Sequence, residues 1–158
     1  MMIRRRFAAA LGVAAFGIVL AASWFVATPA LAAGDELVLV AGASGRTGKE
    51  VVTQLVARNY RVRALVRDVA KAQGTFPAGV ELVVGDVRES GSLNRSMKGV
   101  KYVISTIGAG GGPRGEAGNG PEEIDFQGVA NLAAAAKKAR VKHFVLVSSA
   151  SVTKAAEN

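Results

Sequence analysis

Val38-Leu-Val-Ala-Gly-Ala-Ser-Gly-Arg-Thr-Gly-Lys-Glu50 joins an apolar run, three glycines and the start of a segment with helical periodicity. The apolar run reads as a strand and the periodic segment as a helix, with Val51, Val52, Leu55 and Val56 on one side. A strand that turns sharply into a helix presents backbone N–H groups to an anion. Gly42, Gly45 and Gly48 allow that turn and the close approach of a pyrophosphate. Their spacing is G-x-x-G-x-x-G rather than the commoner G-x-G-x-x-G. The flanking strand and helix favour nucleotide binding over a plain turn.

Outward from this stretch, apolar runs and helical segments alternate. Strands are expected at 36–41, 60–66, 80–84, 100–106 and 143–147. Helices are expected at 46–58, 69–73, 90–98 and 122–140. Asp68 is placed to cap the second helix, and Asn59 and Gly99 to end the first and third. Residues 108–121 contain seven glycines and two prolines and read as a long loop. This alternation implies an α/β fold: a doubly wound parallel sheet, Rossmann-like, with strand order 3-2-1-4-5 and helices on both faces. Ligands in such sheets bind at the carboxyl ends of the strands, where the order reverses. Gly42–Gly48, Arg67, Asp86, Thr106 and Ser149 all fall at or just past those ends.

Residues 1–34 stand apart. Arg4, Arg5 and Arg6 precede a run from Phe7 to Gly34 without a single charge. Ala30-Leu-Ala32 fits a small-residue cleavage site, so the segment reads as a signal peptide. The arginine pair resembles a twin-arginine signal, although Ile3 replaces the polar residue usual before it. The rival is an uncleaved membrane anchor through residues 7–33, since the run exceeds the ~20 residues that span a bilayer. Either way the globular domain covers 35–158, and the expected location is an exported compartment or a membrane surface.

Composition narrows the chemistry. The 158 residues contain no cysteine and one histidine, His143, so no thiolate or multi-histidine metal site is expected. The net charge of +8 invites a nucleic-acid reading. Three of those charges lie in the N-terminal arginines, however, and basic patches interleaved with aromatics are missing, which argues against nucleic acid.

Five pieces carry a resemblance: Ala41-Gly-Ala-Ser-Gly-Arg-Thr-Gly48, Val62-Arg-Ala-Leu-Val-Arg-Asp68, Val83-Val-Gly-Asp-Val87, Asp125-Phe-Gln-Gly-Val129 and His143-Phe-Val-Leu-Val-Ser-Ser149. In order and spacing they resemble the NmrA-like NAD(P)-binding proteins of the atypical short-chain dehydrogenase/reductase group. The resemblance implies that Gly42, Ser44, Gly45, Arg46, Thr47 and Gly48 hold the pyrophosphate. It implies that Asp86 and Val87 lie along the adenine, and that Thr106, Ile107 and Gly108 pass the nicotinamide ribose. A serine placed like Ser149 sits beside the substrate in many relatives and is the one candidate catalytic residue.

Charge bears on the choice of cofactor. NAD binders carry a carboxylate about 20 residues past the glycines, for the ribose 2′-OH. Here Arg67 ends the second strand, and a guanidinium suits a 2′-phosphate. NADP is therefore favoured, with NAD open because Asp68 is adjacent. The Tyr-x-x-x-Lys pair of active short-chain dehydrogenases is missing. The only tyrosines are Tyr60 and Tyr102, and Ala64 and Thr106 stand four residues on. The expected function is dinucleotide binding without a complete catalytic set. The alternatives are a fragment of an oxidoreductase or epimerase, or a membrane-tethered regulatory or assembly module. Neither a small-molecule substrate nor a protein partner can be named from these residues.

Overall fold

The computed structural model describes residues 36–109 and 118–148. The expected signal or anchor segment and Ser149 lie outside the described residues. Among the described residues, no helix is long and apolar enough to cross a membrane.

The elements follow in the order β1 (Leu37–Ala41), α1 (Arg46–Ala57), β2 (Arg61–Val66), α2 (Val69–Ala72), β3 (Glu81–Val84), α3 (Ser90–Ser96) and β4 (Val100–Ser105). A π-helical stretch (Glu122–Gly128), α4 (Val129–Lys138) and β5 (His143–Leu146) complete the set. All five strands form one parallel sheet in the order β3-β2-β1-β4-β5. The order reverses beside β1, so β2 and β4 flank the strand that leads into the glycine turn.

β1 is buried at all five positions, which explains its unbroken apolar sequence. Its alternate residues feed two cores. Leu37, Leu39 and Ala41 pack with Leu93, Met97, Leu132, Ala135 and Ala136 beneath α3 and α4. Val40 packs with Val52, Val62, Ala64, Val66 and Ala72 beneath α1 and α2. Fully buried leucines such as Leu39 and Leu132 each contribute about 1.5–3 kcal/mol of transfer free energy.

The helix ends follow their residues. Asn59 adopts φ 60° just past α1. Its N–H donates to Val56 O at 2.9 Å, and the Tyr60 N–H donates to Leu55 O at 3.0 Å. That pair of bonds closes the helix in a Schellman motif. Asp68 caps α2 by accepting the Lys71 N–H at 3.2 Å. Arg63, on β2, donates to Ser96 O and Lys98 O at 2.7 Å each, and so satisfies carbonyls at the end of α3.

One expectation needs correction. The helix expected over 122–140 is not uniform: its first seven residues, Glu122–Gly128, are π-helical and only Val129–Lys138 is α-helical. Gly128 lies where a Cβ would stand 2.8 Å from Val87 Cγ2, so this segment is pressed onto the loop after β3. Helices do lie on both faces of the sheet, as expected, but they leave its β5 edge partly bare. Helices α1 and α2 lie over β1, β2 and β3 on one side. Val145, paired with Ile104 on β4, is 50% exposed, and Leu146 and Val147 are also exposed. Phe144 of the same strand packs against the core beneath α3 and α4, so the exposure is confined to Val145 and the end of the strand.

Candidate functional site

The three glycines do three different things. Gly42 has φ +77°, and a Cβ there would stand 2.8 Å from the backbone of Thr106 and Ile107. The turn out of β1 thus runs against the end of β4. At Gly48 a Cβ would collide with Gly42 O and with Ala43 Cα, at 2.7 Å from the latter, so this glycine lets α1 pack on the turn. At Gly45 the nearest atom to a Cβ is Gly42 O at 3.2 Å, and φ is −72°. Gly45 is therefore the only one of the three whose lack of a side chain the fold itself does not demand. Its N–H donates to Gly42 O at 3.0 Å and it caps α1. No side-chain cap and no acidic residue compete for the N–H groups of the first turn.

Above this turn lies a cavity of about 440 Å³ at the carboxyl ends of the strands. Nine sequence-predicted residues line it: Gly42, Ser44, Gly45, Arg67, Asp86, Val87, Thr106, Ile107 and Gly108. Arg46 and Thr47 are exposed in the first turn of α1, and Gly48 is buried beneath it. An adjoining cavity of about 460 Å³ is lined by Arg67, Lys71 and Arg88 together with Asp68, Asp86 and Ser44. The two cavities share Ser44, Val66, Arg67 and Asp86.

Hydrogen bonds hold the rim in shape. Asp86 accepts from Arg88 Nε on both oxygens, at 3.0 and 3.1 Å, and from Arg88 Nη2 at 2.5 Å. The Arg88 guanidinium holds the Asp86 carboxyl below the usual carboxylate range, against the opposing effect of partial burial, and the charge of Arg67 adds to the lowering. Arg88 Nη1 also donates to Gly118 O and Asn119 Oδ1, at 3.1 and 3.2 Å, so it ties the β3 end to the segment before the π-helix. The Thr106 N–H and hydroxyl both donate to Ala41 O at 2.9 Å, which locks the end of β4 to β1. Arg67 is exposed and makes no hydrogen bond or ion pair among the described residues.

Several rim residues escaped the sequence reading. Arg88 stands two residues past Asp86, close enough to chelate it, and that spacing was a usable signal. Lys71 stands one helical turn past Arg67 on α2. Asn131 Nδ2 donates to Val87 O at 2.9 Å, and Asp125 Oδ1 accepts the Ala109 N–H at 2.7 Å. Both latter contacts join residues far apart in the chain, and spacing alone announces neither, although Asp125 opens one of the pieces that carry the resemblance.

Comparison with known proteins points the same way. A family model described as NAD(P)H-binding matches residues 42–158. The chain is similar to the Photosystem II assembly factor Ycf39 of Trieres chinensis, with 34% identity over 114 residues, covering 72% of this chain and 34% of that protein. It is similar to an NAD(P)H azoreductase of Xenophilus azovorans, with 35% identity over 112 residues, covering 70% and 34%. Among solved structures it resembles a short-chain dehydrogenase/reductase superfamily protein from Agrobacterium tumefaciens with bound NAD. There the TM-score is 0.60 and the identity 29%, covering 74% of this chain and 34% of that one. The chain thus spans about a third of the length of these relatives.

Proposed function

This chain belongs to the NAD(P)H-binding family, within the NmrA-like and short-chain dehydrogenase/reductase superfamily, and from that membership we propose that its carboxyl-rim cavity holds the dinucleotide, with NADP preferred over NAD. The observation that carries the proposal is the convergence of Gly45, Arg67, Asp86 and Thr106, from four separate strand ends, on one cavity. The pyrophosphate lies over Ser44–Gly48, where the N–H groups and dipole of α1 favour negative charge. The adenine lies along Asp86 and Val87, and the nicotinamide ribose along Thr106, Ile107 and Gly108.

The preference for NADP rests on the adjoining cavity. Arg67 and Lys71 both line it, and a 2′-phosphate there meets two cations. Asp68, the carboxylate that would serve NAD, already caps α2 and stands 3.8 Å from Lys71 Nζ. When bound, the nicotinamide supplies hydride chemistry. The residues of this chain bind and orient it. Ser149 is the candidate for contact with a substrate oxygen, but a hydroxyl of ordinary acidity is a poor proton donor, and the sequence carries no Tyr-x-x-x-Lys pair beside it.

The test has two arms. Titration calorimetry should give saturable binding of NADPH, tighter than that of NADH. NADPH oxidation by the 158-residue chain with quinones, aldehydes and azo compounds should show no turnover. Steady turnover that disappears in Ser149→Ala overturns the binding-only reading. The azoreductase relative keeps that enzymatic reading alive, and the assembly-factor relative favours a binding or scaffolding role.

For residues 1–34 we propose export or anchoring. Changing Arg4 and Arg5 to lysine should block export by a twin-arginine route. Unimpaired export of that variant redirects the segment to the general secretory route or to a simple anchor.

A further inference from the structure

The five strands run parallel, so they begin together at the amino rim of the sheet, and the turns that feed them gather there. That rim is cationic. Arg58 and Arg61 flank the turn from α1 into β2, Lys98 and Lys101 the turn from α3 into β4, and Arg140 and Lys142 the turn from α4 into β5. All six are exposed. Lys137 and Lys138 close α4, where the negative end of the helix is reason enough for them. Arg61 and Lys101 have no such reason, since they lie on strands. Among the described residues the amino rim holds two carboxylates, Glu36 and Glu81. Both are taken up within the sheet, Glu36 by Lys142 at 2.6 Å and Glu81 by Arg63 at 2.9 Å. Asp35 adds one further negative charge in the sequence. The carboxyl rim is balanced instead: Asp68, Asp86 and Glu89 stand among its cations, and the π-helix opens on acidic residues.

We propose that the amino rim is a docking surface for a membrane rich in anionic phospholipid. The choice of a membrane rests on the anchoring reading of residues 7–33. Glu36 immediately precedes β1, so the chain enters the sheet at this rim. The uncharged run ends at Gly34, just before Asp35 and Glu36. Two extended residues reach ~7 Å. Salt screens charge over ~8 Å at physiological ionic strength. An anchor in that run therefore holds the cationic rim inside the field of the lipid headgroups. Each cation so placed beside an anionic leaflet favours apposition by about fivefold. Nucleic acid fits the rim less well. Single strands bind by stacking bases on free aromatic faces. Here the Tyr102 ring is stacked on His143 and its hydroxyl is bonded to Glu36.

The sequence has no cysteine, so one introduced thiol takes a fluorophore uniquely. Ala139→Cys labels the amino rim and Ser90→Cys the carboxyl rim, both at exposed positions. The full chain is placed in phosphatidylcholine vesicles, with or without phosphatidylglycerol, whose headgroups carry a spin-label quencher. Quenching at 139 should rise about threefold or more with phosphatidylglycerol. It should fall back in about 1 M salt, while quenching at 90 stays low throughout. Changing Lys98, Lys101 and Arg140 together to glutamine should weaken apposition about a hundredfold and abolish the rise, with circular dichroism unaltered. Changing Arg46, Lys49 and Lys71 to glutamine removes as much charge from the carboxyl rim and should leave the rise intact. A label at 139 indifferent to phosphatidylglycerol or to salt, equal rises at 139 and 90, or a rise that survives loss of the three amino-rim cations each overturn the proposal. Saturable binding of duplex RNA that those cations carry, without the lipid response, gives the rim to nucleic acid and also overturns it. Alkaline carbonate tests the anchor separately. A chain that carbonate strips from the vesicles, but whose rim still responds to phosphatidylglycerol, upholds the docking surface and overturns the anchor alone. A carbonate-resistant chain with an indifferent rim overturns the docking surface alone.

Discussion

At the amino rim of the sheet, four chemistry-bearing side chains satisfy one another; at the carboxyl rim, backbone and charge face a cavity. At the amino rim Tyr102 donates to Glu36 at 2.5 Å, Lys142 bonds the other Glu36 oxygen at 2.6 Å, and the rings of Tyr102 and His143 stack at 5.8 Å. Lys142 and Tyr102 both lower the Glu36 carboxyl, while Glu36 raises both Tyr102 and Lys142. At the carboxyl rim Arg88 lowers Asp86 in the same manner. Shifted ionisation therefore does not distinguish the two rims, although it marks functional sites in many proteins. What distinguishes them is topology. Helices begin and glycines turn at the carboxyl ends, where uncapped N–H groups gather beside Arg67. Tyr102, Lys142 and His143 lie at the opposite end of the strands from the cavity.

The largest expected contrast lies within the glycine turn. Gly48→Val should prevent folding, because the side chain meets Gly42 O and Ala43 Cα, a clash beyond about 4 kcal/mol. Gly45→Val should fold, since only Gly42 O at 3.2 Å is near, but should lose NADPH by roughly 3 kcal/mol or more. Circular dichroism and calorimetry read the two effects separately. A Gly45→Val chain of wild-type affinity makes the loop a turn and nothing more.

Next comes cofactor choice. Arg67→Ala should weaken NADPH by about 1.5–3 kcal/mol and leave NADH nearly unaltered. Equal losses for the two point to packing or stacking instead of a 2′-phosphate contact.

Acid titration separates the rims more gently. The folded-state pKa of Asp86 is depressed, so its contribution to stability is present above the ordinary aspartate value near 3.8 and fades as pH falls through the lower folded value. Arg88→Met should therefore be less stable than wild type at neutral pH and converge with it in acid. Lys142→Met should behave alike through Glu36. The raised pKa of Lys142 adds a contribution that is present below its ordinary value of 10.5 and is lost as pH rises through the folded value. Only Arg88→Met should disturb NADPH binding. An equal loss of affinity in Lys142→Met would erase the distinction between the rims.

The smallest effect concerns Ser105, wholly buried at the end of β4 with a hydroxyl that has no partner among the described residues. Ser105→Ala should leave binding intact and match or exceed wild-type stability by up to about 1 kcal/mol in chemical denaturation. A destabilised alanine variant would reveal a hidden partner for that hydroxyl.

Much of this arrangement was legible in the sequence, because its causes are local. Val38–Ala41 is apolar without alternation since both faces of β1 are buried, and Gly42–Gly48 repeat at the intervals of a strand-to-helix turn. The strand order followed from right-handed crossovers between neighbouring elements. The π-helical start of the segment from Glu122 was not legible: π and α turns share composition, and the contact of Gly128 with Val87 is tertiary. Asp125, Asn131 and Arg88 reach partners 16, 44 and 30 residues away. Such pairings arise only once the sheet has brought β3 and β4 alongside α4. The exposed edge at Val145 was hidden for a similar reason, since an apolar strand reads alike whether or not a neighbour covers it.

The most direct test is to follow backbone amide chemical shifts during a titration with NADPH. If the carboxyl-rim cavity holds the dinucleotide, the amides of Gly45–Gly48, Asp86, Val87 and Thr106–Ala109 move together and saturate at one affinity, while those of Tyr102, Lys142 and His143 stay in place. Saturable shifts centred on Tyr102, Lys142 and His143, or no saturable shifts at Gly45–Gly48, contradict it.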